Sequence, residues 1–205
     1  MELERSLCQT GGMSDVVRLK VTLRDTNPAI WRRVEVARPI TLKDLHAIIQ
    51  AAMGWENYHL YQFYIGRQTI NGPGFDDPGS FAPRNISAVR VSLDDLINSN
   101  VKRFRYLYDM GDSWEHELRI EKLLTADPAA IYPTFIDGAG RCPPEDVGGL
   151  PGFYNFLEAI EDPAHPDHQE SADWYGGPFD PNLMDEAKIK KRLIRLARPK
   201  KRKAA

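Results

Sequence analysis

From Val16 to Thr26 the chain reads VVRLKVTLRDT, alternating apolar and polar positions with the period of two that sets one strand face on a core and the other in water. Asn27-Pro28 interrupts the pattern and IWRRVEV (Ile30 to Val36) resumes it, so these two strands are expected to pair as a hairpin. The period then changes. In TLKDLHAIIQAAMGW the apolar residues Leu42, Leu45, Ile48, Ile49, Ala52 and Met53 recur at helical spacing. Thr41 and Asp44 have the spacing of a capping box, and Gly54 supplies the stop.

HLYQFYIG (His59 to Gly66) reads as an aromatic third strand, and NGPGFDDPGSFAP (Asn71 to Pro83) has the Gly, Pro and Asp density of a surface loop. SLDDLINSN predicts a short helix capped by Ser92 and Asp95. RFRYLYD (Arg103 to Asp109) and the stretch opening DMGDSWEHELRI form a second expected hairpin turning at MGDS. Beyond Thr125, PTFIDGAGRCPPEDVGGLPG reads as irregular, FYNFLEAIED as a helix and DEAKIKKRLIRLA as a final amphipathic helix. The order predicts an α+β fold, a mixed or antiparallel sheet of about five strands crossed by one helix, with C-terminal helices packed on it. Its start resembles a β-grasp arrangement. The expected domain runs over residues 15–197, between a flexible leader (1–14) and a basic disordered tail (198–205).

These motifs carry a resemblance. LRDTNPAIWRRVEV, TLKDLHAIIQAAMGWENYHLYQF, YLYDMGDSWEHELRIEKLL, GAGRCPPEDVGG and WYGGPFDP, in that order, resemble the plasmid pRiA4b ORF-3-like proteins over Val17 to Leu196. Members often carry transposon-passenger or TnpR-like resolvase labels, so the resemblance implies a mobile-element association and no particular reaction. The residues do not support a resolvase: Ser92, the nearest candidate nucleophile, opens SLDDL and serves as a helix cap, and the basic C-terminal region has no Tyr.

Charge adds a polarity that the net value of −2 hides. Asp109 to Glu186 holds eighteen acids against three bases, whereas Lys188 to Lys203 holds ten bases and no acid. The basic segment, with Lys190, Lys191, Arg195, Arg198, Lys200, Lys201, Arg202 and Lys203, is a candidate for non-specific nucleic-acid binding by counterion release. The first dozen residues lack a secretory signal and no apolar run reaches membrane-spanning length, so a cytoplasmic protein without membrane contact is expected. The two cysteines, Cys8 and Cys142, are expected to be reduced.

Candidate chemistry centres on Asp109, Asp112, His116, Cys142, Glu145 and Asp146. Strand alternation sets Trp114, His116, Leu118 and Ile120 on one face and Glu115, Glu117 and Arg119 on the other, which excludes a Glu-His-Glu clamp within the strand. Asp109 and Asp112 flank Gly111 and suit turn backbone donors. No paired spacing such as C-x-x-C supports a metal, so none is expected; the set to test is His46, His59, His116 and Cys142 for zinc, or the acids Asp109, Asp112, Glu145 and Asp146 for a hard cation. Cys142 would be a nucleophile only if Arg141 depressed its pKa. Trp55, Tyr61, Trp114, Tyr154 and Trp174 are candidates for an aromatic groove, against core packing. No G-x-G-x-x-G or Walker loop occurs, and no cofactor is expected. The expected role is a non-catalytic interaction module with an unknown protein or peptide partner. The competing reading is a metal-dependent or hydrolytic enzyme with its site between the hairpin at 109–120 and the CPPED loop.

Overall fold

The computed structural model describes residues 15–75 and 86–197. The expected leader (1–14), the tail (198–205) and most of the Asn71 to Pro83 loop lie outside the described residues. In chain order the elements are β1 (Val16–Leu23), β2 (Trp31–Ala37), α1 (Leu42–Met53), β3 (Tyr61–Ile65), β4 (Gln68–Asn71), β5 (Ile86–Ser87) and α2 (Leu93–Asn98). They continue with β6 (Arg103–Tyr108), β7 (Trp114–Leu124), β8 (Thr134–Ala139), α3 (Gly149–Glu161), α4 (His168–Tyr175) and α5 (Glu186–Ala197).

One mixed sheet runs in the order β5-β4-β3-β6-β7-β1-β2-β8. Every neighbouring pair is antiparallel except β4 with β5. The expectation of about five strands is thus corrected to eight, and the reason is local. β4 and β5 have four and two residues, too few to display a period, and β8 is an edge strand in which only Phe135 is buried. The α+β class holds. β1 lies between β2 and β7, antiparallel to both.

The inward sheet face carries Val17, Leu19, Val21, Val34, Val36, Phe104, Tyr106 and Leu118, all at most 3 % exposed. α1 covers this face because its stripe of Leu42, Leu45 and Ile49 is fully buried. Both helix starts are fixed by capping boxes, Thr41 with Asp44 and Ser92 with Asp95. Backbone bonds from Leu42 N to Val91 O (2.8 Å) and from Leu93 N to Ile40 O (2.8 Å) lace the two starts together. At the far end Gly54 stops α1 in the left-handed conformation (φ 105°), and α5 docks there through Ile189 and Leu193. Its Arg192 donates to Gly54 O (2.9 Å) and Trp55 O.

Among the described residues no helix is long and apolar enough to cross a membrane.

Candidate functional site

Three separated segments meet where β6 turns into β7. His59 precedes β3, Asp109 follows β6, and Glu145 and Asp146 lie in the loop between β8 and α3. Nε2 of His59 is 3.0 Å from Oδ1 of Asp146, 3.5 Å from Oδ2 of Asp109 and 4.0 Å from Oε2 of Glu145. One ligand atom from each of His59, Asp109 and Asp146 lies within 4.8 Å of the other two. That nitrogen is buried, yet its alignment with these oxygens falls outside hydrogen-bond geometry and it has no hydrogen-bond partner among the described residues.

Local chemistry builds each wall. Asp109 adopts φ 60°, a left-handed conformation that Asp tolerates better than most side chains. Its Oδ1 accepts from Gly111 N (2.8 Å), an Asx turn that leaves Oδ2 facing His59. Asp146 is also left-handed, at φ 58°. The loop bearing it is tied to the hairpin by Asp112, whose Oδ2 accepts from Gly148 N (3.2 Å). Gly149 (φ 67°) has no room for a side chain, since a Cβ there would stand 2.7 Å from Asp112 O. On the other side Trp55 Nε1 donates to Pro143 O (3.0 Å) and Glu56 N donates to Glu145 Oε1 (2.7 Å).

The electrostatics are those of an acidic site in want of positive charge. Asp109 is 7 % exposed, so one of the three carboxylates around the imidazole is almost fully withdrawn from water. Burial raises the Glu145 carboxyl above its ordinary range, the nearby Asp146 adds to that, and the Glu56 N–H and Tyr108 hydroxyl oppose it. Burial, with Glu145 as second cause, raises the Tyr108 phenol. Tyr108 therefore stays protonated, donating to Glu145 (3.2 Å) while its oxygen accepts from Tyr58 N (3.0 Å). An imidazole nitrogen with two or three carboxylate oxygens is a donor set for a first-row divalent cation such as Mn2+ or Zn2+.

The family model for the plasmid pRiA4b ORF-3-like protein matches residues 15–188. The chain belongs to that family. It is 42% identical over 194 residues to the uncharacterized protein y4hQ of Sinorhizobium fredii, covering 94% of this chain and 97% of that one. It is also similar to the crystal structure of a protein of unknown function, MM3350, from Methanosarcina mazei Go1. There the TM-score is 0.75 at 33% identity, over 84% of this chain and 96% of the other.

In this pRiA4b ORF-3-like protein the zinc set of His46, His59, His116 and Cys142 does not assemble, because His46 and His116 are built into the core and Cys142 packs against it from the loop after β8. His46 bonds through Nδ1 to the Tyr106 hydroxyl (2.7 Å) and stacks on Tyr61, with ring centroids 3.6 Å apart. His116, fully buried on the inward face of β7, bonds to Trp114 O (3.0 Å). Burial pushes the pKa of His46 down to about 4 and that of His116 down to about 3, so both are neutral. The Cys142 thiol is pushed up to about 12 by burial, and the cation that opposes this is Arg32 rather than the expected Arg141. An unactivated thiol is a poor nucleophile. The acidic set, by contrast, comes together except for Asp112, which is spent on Gly148 N.

The aromatic set does not form one groove. Trp55, Tyr61 and Trp114 are 2 %, 5 % and 1 % exposed and belong to the core. The Tyr154 hydroxyl accepts from Asn27 N (2.9 Å), and half-exposed Trp174 stands edge-on to Phe156. In the basic segment, Lys190 pairs with Glu186, whereas Lys191 and Arg195 line a groove between α1 and α5. Arg198, Lys200, Lys201, Arg202 and Lys203 lie outside the described residues. Two residues were beyond sequence reasoning in their actual roles. His59 joins the acids rather than the other histidines, and Arg32 is buried inside the sheet face (1 % exposed). Arg32 did leave a signal: it occupies an inward position of β2, between Ile30 and Val34 in the alternation.

Proposed function

We propose that this protein is a divalent-cation-dependent binding module, with His59, Asp109 and Asp146 as ligands and Glu145 completing the set. The carrying observation is the buried Nε2 of His59, without a hydrogen-bond partner and with three carboxylates within 4.0 Å. Among the described residues Tyr61 Oη, Trp114 Nε1 and His116 Nε2 are buried without a partner as well. What sets the His59 nitrogen apart is the three carboxylates around it, whose mutual repulsion a cation would offset while satisfying the nitrogen. The cation would fix the Cys142 to Gly149 loop against the hairpin. Glu145 and Asp146 line two different clefts flanking that loop, one against α5 and one against α3 and α4, so ordering the loop shapes both.

The test is calorimetric titration of the chelator-treated full chain with Mn2+ or Zn2+. One equivalent is expected to bind, and binding is expected to vanish in Asp146→Ala together with Asp109→Asn. An absence of saturable binding, or binding indifferent to both substitutions, overturns the reading.

A second reading, non-specific nucleic-acid binding through α5 and the chain beyond it, is favoured by Lys188, Lys191 and Arg195. None of the three has an ion pair among the described residues. Its test is salt-sensitive retention on DNA, lost when residues 197–205 are removed.

A further inference from the structure

The structure assigns a second site, which shares the Glu145 wall with the first: we infer that the cleft between α5, the end of α1 and the loop after β8 binds a small organic anion, a carboxylate or phosphate monoester carried on an apolar or aromatic body. The inference starts from Arg32. Its guanidinium is 1 % exposed and donates to Ala52 O (2.9 Å), Trp31 O (2.8 Å), Ala139 O (2.9 Å) and Gly140 O (2.9 Å). All four acceptors are neutral backbone carbonyls. A guanidinium has five N–H groups, so one, on Nη2, has no acceptor among the described residues. Among the described residues no carboxylate lies within ion-pair distance of it. A buried charge is ordinarily paired with an opposite one, because removing it from water costs several kcal/mol.

Arg32 does not stand alone. It lines a cavity of about 370 Å³, within the range of small-molecule sites, together with Arg141 and Lys188. Arg141 donates to the Tyr175 hydroxyl (2.6 Å) and stacks over Phe179 at 4.7 Å, with no carboxylate partner among the described residues. Lys188 also has none. The two acids in the wall are already engaged: Glu145 by Glu56 N (2.7 Å) and the Tyr108 hydroxyl, and Asp185 by Lys188 N (2.9 Å) at the start of α5. Three cations without anionic partners therefore face a space whose other walls include Trp55, Phe179, Met184 and Ile189. Cations on one side and aromatic or aliphatic surface on the other define an anionic head on an apolar body.

The probes are benzoate and phenyl phosphate, titrated into the full chain with chelator and, separately, with Mn2+, because the loop carrying Glu145 borders both sites and the two conditions tell a failure of the cleft from a failure of the cation site. Thermal unfolding and tryptophan fluorescence give the readout, since Trp55 lines the cavity. Saturable binding of either anion is expected, and the tighter of the two assigns the head group. Lys188→Gln and Arg141→Gln are each expected to weaken it roughly tenfold, the loss of one charge-assisted contact. Lys188 is exposed, so that variant retains the fold. The proposal is overturned if neither anion binds saturably, if neutral benzyl alcohol binds as tightly as benzoate, or if both variants bind as the parent does. Inorganic phosphate binding as tightly as phenyl phosphate also overturns it, because the apolar walls would then contribute nothing.

Discussion

Nε2 of His59 and Oδ1 of Asp146 stand 3.0 Å apart, joining the lead-in to β3 with the loop before α3, and no hydrogen bond holds them. The Asp146 side chain is 65% exposed, so an isolated charge contact there contributes little. Asp109 is different: it is buried and its Oδ1 caps the turn through Gly111 N. In chelator, Asp146→Asn should therefore leave stability unchanged within about 0.5 kcal/mol, while Asp109→Ala, which removes the acceptor of the Gly111 N–H, should cost about 1 kcal/mol. With Mn2+ at a hundredfold excess over Kd the parent should gain about 2.7 kcal/mol and both variants little of it. Thermal unfolding with and without Mn2+ checks this, and an equal gain in Asp146→Asn would remove that residue from the ligand set.

His116 and His46 make the fold sensitive to acid. Their folded pKa values, about 3 and about 4, lie below the roughly 6.5 of an unfolded chain. Below pH 6.5 the unfolded state takes up protons that the folded state refuses, so stability is full above that pH and falls as pH drops toward 4. Each histidine contributes a slope of up to about 1.4 kcal/mol per pH unit, or about 2 kcal/mol between pH 6.5 and 5. Glu145, raised by burial, acts in the opposite sense, nearer the carboxylate range. Urea unfolding at pH 7 and pH 5 should show a markedly lower midpoint at pH 5, and His116→Gln should halve the difference. A midpoint independent of pH over this interval would contradict the argument.

What the sequence disclosed and what it hid divide by range of interaction. The two capping boxes and the Gly54 stop are contacts within four residues, and they stand in the structure at Thr41, Ser92 and Gly54 as the spacing predicts. The alternation of β1, β2 and β7 was equally legible, because burial on one face imposes it directly. β8 and α4 were not, since β8 buries only Phe135 and α4 buries nothing, leaving no stripe to read. The cation site was half legible. Its acids sit in conspicuous turns, but the pairing of His59 with them is a product of strand order, which places β3 beside β6. Nothing near His59 in the chain distinguishes it from His46, whose ring is instead held by Tyr61 and Tyr106.

Arg192 ties the last helix to the first. It bonds Gly54 O (2.9 Å) and Trp55 O, groups left without helical partners where α1 ends, and pairs with Glu56 (3.0 Å), with only 17% of its side chain exposed. Arg192→Ala should lower stability by about 1.5–3 kcal/mol, the cost of charge-assisted bonds to carbonyls in a half-buried setting. Arg192→Lys should recover less than half of it, because an ammonium cannot fork across several acceptors as a guanidinium does. The check is the urea midpoint at unchanged m-value. A loss under about 0.5 kcal/mol, the range of an ordinary surface substitution, would mean that α5 is held by Ile189 and Leu193 alone.

Two glycines should respond oppositely to the same added methyl group. At Gly138 in β8 a Cβ would stand 2.8 Å from Trp31 O, 2.9 Å from Met184 Sδ and 3.0 Å from Arg32 Cδ. The methionine can move, but Trp31 O belongs to the neighbouring strand and also accepts from Arg32, so the strain passes into the arginine's cradle. At Gly177 a Cβ meets nothing within 4 Å and the backbone is not left-handed. Gly138→Ala should cost about 1–3 kcal/mol, as overpacking does. Gly177→Ala should be neutral or stabilise by up to about 1 kcal/mol through the unfolded chain. Urea midpoints of the two variants should move apart, and benzoate affinity should fall only in the first, since only there is Arg32 displaced. If Gly138→Ala shifts neither quantity, β2 and β8 are not held at the separation that the buried arginine requires.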